Sequence, residues 1–100
     1  MLNNLTVTEA QIGLRTGKFT SKDLVQACLD QINKHNPKLN AFLSLNPKAL
    51  TEADQADISK PLGGIPIAVK DNFLTRGLPT TASAKLLDNY IPEYESTVTQ

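Results

Sequence analysis

The sequence contains one cysteine, Cys28, so it cannot close a disulfide within the chain. It also has no long apolar run: the longest, Ile65 to Val69, falls far short of the ~20 residues that cross a bilayer. The opening MLNNLTVTEAQ is polar and lacks the apolar stretch of a secretion signal. A cytoplasmic location without a membrane is therefore expected. No sign of charge dominates, because ten Lys and Arg balance ten Asp and Glu. That balance argues against a surface dedicated to nucleic acid, which clusters Lys and Arg, but it leaves room for a role beside RNA in a larger assembly. Internal repeats, low-complexity tracts and linkers are missing too. With 100 residues, 40% of them hydrophobic, the chain fits one globular domain or part of one.

The sequence does contain helix signals. Thr6-Val7-Thr8-Glu9 has the spacing of a capping box. Val7, Ala10 and Leu14 then recur at helical spacing, and Gly17 supplies a left-handed stop. A second helix is predicted from Thr20-Ser21, with Leu24, Val25, Cys28, Leu29 and Ile32 on one face. It is expected to end before Pro37, because the residue preceding a proline disfavours helix. These two helices read as a hairpin over residues 1–36. NAFLSLN predicts a short strand at 41–45, and Asn46-Pro47 a cap and first position for a third helix over roughly 47–57. Ile65 to Lys70 predicts a second strand, buried on both faces of an α/β sheet. Ala84–Leu87 is helical in composition. Ser96-Thr97-Val98 reads as the start of another helix with no stop after it, so the chain is expected to be cut within an element and to be loosely folded by itself.

Three apparent motifs carry no chemistry. Gly13 to Phe19 imitates a phosphate-binding loop, but it is one residue short between its glycines and has Phe19 where a hydroxyl is needed. His35 has no Cys or His partner at metal-ligand spacing. Cys28 lies within the apolar stripe, where a thiol stays protonated. Lys70 is different, since it ends an apolar run. A lysine there either extends its head to water or sits in a poorly solvated pocket, where the neutral amine is favoured and can act as a base. Asp71 and Asn72 follow it, and Thr80, Thr81 and Ser83 lie a short loop away. Each has an ordinary use in turns and caps. Together they fit a polar site at the carboxyl end of a strand, where α/β folds place ligands.

GGIPIAVKDNF, GLPTTASAKLL and YIPEYESTVTQ closely resemble the amidase signature family. Within it they resemble the glutamine-hydrolysing subunits of tRNA-dependent amidotransferases, and the likeness runs through the whole chain. The resemblance implies an α/β fold, a mixed sheet flanked by helices. Residues 1–36 would be a helical hairpin and 37–100 the start of the core, both within one amidase domain. It also implies a Ser–Ser–Lys mechanism with Lys70 as base; Asp71, Asn72, Thr80 and Thr81, read above from their place around the lysine, are expected to support it. The family's Gly/Ser-rich stretch, which holds the nucleophile and the bridging serine, has no counterpart in these residues. Ser83 and Ser96 do not match its serines, so these residues alone are expected to be inactive. No metal or cofactor is implied for this chain, and ATP and Mg²⁺ are expected at a partner subunit. The implied partners are the B and C subunits of an amidotransferase heterotrimer, with glutamine as ammonia donor and an aminoacyl-tRNA reached through the complex. Two alternatives stand beside this: a stand-alone amidase with the same triad, and a non-catalytic α/β module that docks through its hairpin.

Overall fold

A computed structural model describes residues 1–100, which form two compact units, Met1–Pro66 and Ile67–Gln100. In the first unit a 3₁₀ turn at Leu2–Asn4 precedes helix α1, Val7–Arg15. Its start is the capping box read from the sequence. The Thr6 hydroxyl accepts the Glu9 amide at 3.2 Å, and the Thr6 amide donates to the Glu9 carboxylate at 2.7 Å. The Thr6 amide, and after it the Thr6 hydroxyl donating at 3.0 Å, hold the Glu9 carboxyl below its ordinary value. The helix ends as its glycine requires. Gly17 takes φ +73°, the Lys18 amide reaches back to the Gly13 carbonyl at 2.9 Å, and the Gly17 amide reaches Leu14 at 3.3 Å. This double closure satisfies carbonyls that the helix end would leave bare. Phe19 then folds over Gly13, where any side chain would overlap its ring.

Helix α2, Ser21–Leu39, opens on a second capping box. The Thr20 hydroxyl accepts the Asp23 amide at 3.2 Å, and the Thr20 amide donates to the Asp23 carboxylate at 2.9 Å. The predicted stripe faces inward most firmly in its first turns. Leu24 and Val25 are buried, whereas Cys28, Leu29 and Ile32 are half-buried. Leu24 joins Ala10 and Leu14 of α1 in the core, with Leu2, Leu5, Phe19 and Ile65 packed around them. Val7, predicted on that face, is exposed. Burial pushes the Cys28 thiol up from its ordinary value. Helix α3, Ala49–Gln55, lies beside α2 and buries Ala53. The Lys22–Asp54 ion pair, 3.1 Å, is more than half exposed on both sides and contributes little.

Several expectations are corrected. Helix α2 continues through Pro37 to Leu39 and closes on Asn40 in the left-handed region, φ +48°. Pro37 lies in the last turn, so the missing amide removes few helix bonds. The residues expected as a strand at 41–45 form none and bend at Leu43. The Asn36 side chain holds Phe42 instead, donating to its carbonyl at 3.0 Å and accepting its amide at 2.9 Å. Helix α3 begins after Lys48, because Asn46 caps the turn through the Lys48 amide at 3.0 Å. The α/β sheet is overturned as a whole, since the chain has three α-helices and no strand. Ile65–Lys70 is irregular, with Ile67 68% and Val69 41% exposed. A strand needs a neighbour to exchange backbone hydrogen bonds, and none runs beside either segment.

The second unit is built from turns. A 3₁₀ turn at Lys85–Leu87 stands where a helical piece was read, and Ser96 opens a single turn in place of a helix. Four bonds tie its ends together. Gly77 donates to Pro92 at 3.1 Å, Thr80 to Tyr90 at 3.0 Å, Ser96 to Leu74 at 2.9 Å and the Thr99 hydroxyl to Leu74 at 2.7 Å. Pro92 and Thr80 are its buried points.

Replacing Leu24 by alanine is expected to cost about 2–5 kcal/mol and to strip amide-exchange protection from Val7–Arg15. Thr6→Ala, which removes one cap, is expected to cost about 1 kcal/mol. Unchanged protection of that helix in the Leu24→Ala chain would show that the cluster does not hold it.

Candidate active site

Lys70 stands at the exit of the irregular Ile67–Val69 segment and opens a turn, its carbonyl accepting the Phe73 amide at 3.1 Å. Its side chain is exposed, so the buried strand end imagined from the sequence is not formed in these residues. Lys70, Asp71 and Asn72 line a cavity of about 130 Å³ together with Ala82 and Ser83. Thus the loop that follows GLPTT returns to the lysine segment.

The Asp71 carboxylate is what returns it. One carboxylate oxygen accepts the Thr81 amide at 2.9 Å. The other accepts the Thr81 hydroxyl and, at 3.4 Å, the Ser83 amide. The Asp71 carbonyl accepts the Ala82 amide at 2.8 Å. The Thr81 hydroxyl, and after it the Thr81 amide, hold the Asp71 carboxyl below the ordinary carboxylate value, and the Ser83 amide adds to this. Ala82 and Ser83 lie in the left-handed region, φ +48° and +59°, a conformation that costs a residue with a Cβ about 1–2 kcal/mol. The bonds to Asp71 offset that cost.

The structure therefore brings together five of the six residues singled out from the sequence, Ser83 among them. Lys70, Asp71 and Asn72 share the cavity, and Thr81 is joined to it through Asp71. Thr80 goes elsewhere. It is 5% exposed, and its hydroxyl accepts the Thr75 amide at 3.5 Å and donates to the Leu78 carbonyl at 3.4 Å, so it organises the 75–80 turn. Ser96 is engaged with Thr99 at 3.1 Å. Ala82 is the wall residue that sequence reasoning did not place at the site, and the left-handed turn it shares with Ser83 was not read either. Two successive left-handed residues without glycine or asparagine leave no propensity signal. No three His, Cys, Asp or Glu side chains gather as a metal-ligand set. The arrangement offers an amine, a hydroxyl and an amide side chain around one small hollow, with a neighbouring carboxylate already committed to the loop.

The family model described as Amidase matches residues 23–100, a span that contains all of these groups. The chain belongs to the amidase family. Along almost its full length this amidase chain is also similar to proteins described as the A subunit of glutamyl-tRNA(Gln) amidotransferase. It is 43% identical to that of Prochlorococcus marinus over 96% of this chain and 21% of the relative. The protein from Xanthobacter autotrophicus is 47% identical over 98% of this chain and 21% of the relative. That of Thermus thermophilus is 44% identical over 89% and 19%. This amidase chain thus spans about a fifth of the length of the relatives it matches.

The depressed carboxyl of Asp71 sets the sign of a pH effect. Its folded value lies below 3.8, so its contribution is complete above that pH and is lost as pH falls through the folded value. Amide exchange at Thr81, Ala82 and Ser83 is expected to accelerate on acidification through that range, beyond its intrinsic pH dependence. In the Asp71→Asn chain the loop is expected to exchange fast at every pH, with no such step.

Proposed function

We propose that this chain forms the leading part of a glutamine-hydrolysing amidase subunit that supplies ammonia for the amidation of Glu-tRNA(Gln) or Asp-tRNA(Asn). The observation that carries the reading is identity above 40% to glutamyl-tRNA(Gln) amidotransferase A subunits over nearly all of this chain. Lys70 is its base. The neutral amine takes a proton through a bridging serine from a nucleophilic serine, both supplied by polypeptide outside these 100 residues. The serine oxygen attacks the side-chain amide carbon of glutamine. The C–N bond breaks, the relayed proton leaves with ammonia, and an acyl-enzyme remains for water to hydrolyse to glutamate. An exposed Lys70 suits a site that is completed by the rest of the protein, since exclusion of water favours the neutral amine such a base needs.

In this reading ammonia passes to the B subunit, where ATP and Mg²⁺ activate the aminoacyl-tRNA, and the small C subunit stabilises a cytoplasmic heterotrimer. No helix of the chain is long and apolar enough to cross a membrane. Glutaminase assay of the complete protein carrying Lys70→Ala or Lys70→Met tests the proposal. A folded complex with activity reduced about 100- to 10,000-fold is expected, as for loss of a general base. Activity close to the unsubstituted protein would assign Lys70 to solvent and remove it from the mechanism.

A further inference from the structure

We infer that Asp71 is a positioning residue, whose carboxylate holds Thr81 and Ser83 so that the left-handed Ala82–Ser83 pair forms part of the wall of the cavity that Lys70 also lines. The inference rests on the amidase reading of Lys70 and adds a part to it. Asp71 is next to Lys70 in sequence, yet the chain's one ion pair is Lys22–Asp54. The Asp71 oxygens are occupied by the Thr81 amide at 2.9 Å, the Thr81 hydroxyl and the Ser83 amide at 3.4 Å. That engagement has two effects. It fixes a strained pair of residues, φ +48° and +59°, that glycine would otherwise be needed to supply. It also directs a negative charge into the loop and away from the adjoining amine, where a carboxylate would favour the protonated, non-basic form.

Thr81 is the specific partner. Its hydroxyl reaches the carboxylate, and it also accepts the Ser83 amide at 3.2 Å, so one side chain links Asp71 to the wall. A threonine or serine can perform both bonds, and valine, of the same shape, can perform neither. In an Asp71→Asn variant an amide donor replaces one of the two acceptor oxygens and confronts either the Thr81 hydroxyl or a backbone N–H. The reaction would still begin from the same bound glutamine, but the wall beside the base would be displaced, and displacement by about 1 Å costs on the order of 100-fold in rate.

The test is steady-state glutaminase kinetics of the complete amidase carrying Lys70→Ala, Asp71→Asn, Thr81→Val, Thr81→Ser, or Asp71→Asn with Thr81→Val. Asp71→Asn and Thr81→Val are expected to lower kcat by about 10- to 100-fold with KM within about twofold. Thr81→Ser is expected to keep kcat, and the double variant to be no slower than the slower single one, because both remove one linkage. A purely structural role would not discriminate serine from valine at position 81 in kcat alone. Normal kcat in Asp71→Asn, equal losses in Thr81→Ser and Thr81→Val, or additive losses in the double variant would each overturn the inference while leaving Lys70 as base. Full activity of Lys70→Ala would instead overturn the amidase reading on which it rests. If Asp71→Asn does not fold, the serine–valine comparison at position 81 decides the matter.

Discussion

The buried hydroxyl of Ser21 is the point on which the first unit depends. It is 6% exposed and donates to the Gly64 carbonyl at 2.6 Å, so the first turn of α2 grips a loop forty-three positions later. A buried hydroxyl without such a partner costs more than the bond itself contributes, which makes the register of that loop stringent. The neighbours are arranged to permit it. Gly64 sits at φ +82°, and an added Cβ would press on Ile58 and Ser21 at 3.2 Å. At Gly63 any side chain would collide with the Asp57 carbonyl. Gln11 reaches from α1 to the Pro61 carbonyl. Of the two glycines of the family-like GGIPIAVKDN string, Gly64 is therefore set by packing against the start of α2 and Gly63 by the backbone at Asp57.

The legible parts of the fold were those decided within a few residues. The Thr6–Glu9 capping box, the glycine closure of α1 and the start of α2 at Thr20-Ser21 depend on residues a few positions apart, and they stand where spacing placed them. The strands were not legible because a strand is a relation between two segments. Ile65–Val69 has the composition for burial, but its backbone finds no ladder within these residues, and two of its side chains, Ile67 and Val69, lie open. Pro37 misled for a related reason. The rule against helix before proline is a local preference, and it yielded to the Asn36 and Asn40 bonds that close the last turn of α2.

At the site the division is similar. Lys70 and Asp71 were visible as charged residues ending an apolar run, and Thr81 as a hydroxyl within reach. Ser83 was visible as a hydroxyl too, but Ala82 and the left-handed conformation of the pair were not, because that conformation is held by a carboxylate some ten residues earlier and not by any preference of alanine or serine. Thr80 and Thr81 look interchangeable in sequence, but one is buried in a turn and the other binds Asp71.

The half-buried thiol at Cys28 has a practical corollary. Thiolate, the form that attacks peroxide, maleimide and foreign disulfides, is scarcer when the surroundings favour the protonated sulfur. The lone sulfhydryl of this amidase chain is thus expected to be a sluggish target for alkylation and for oxidative dimerisation.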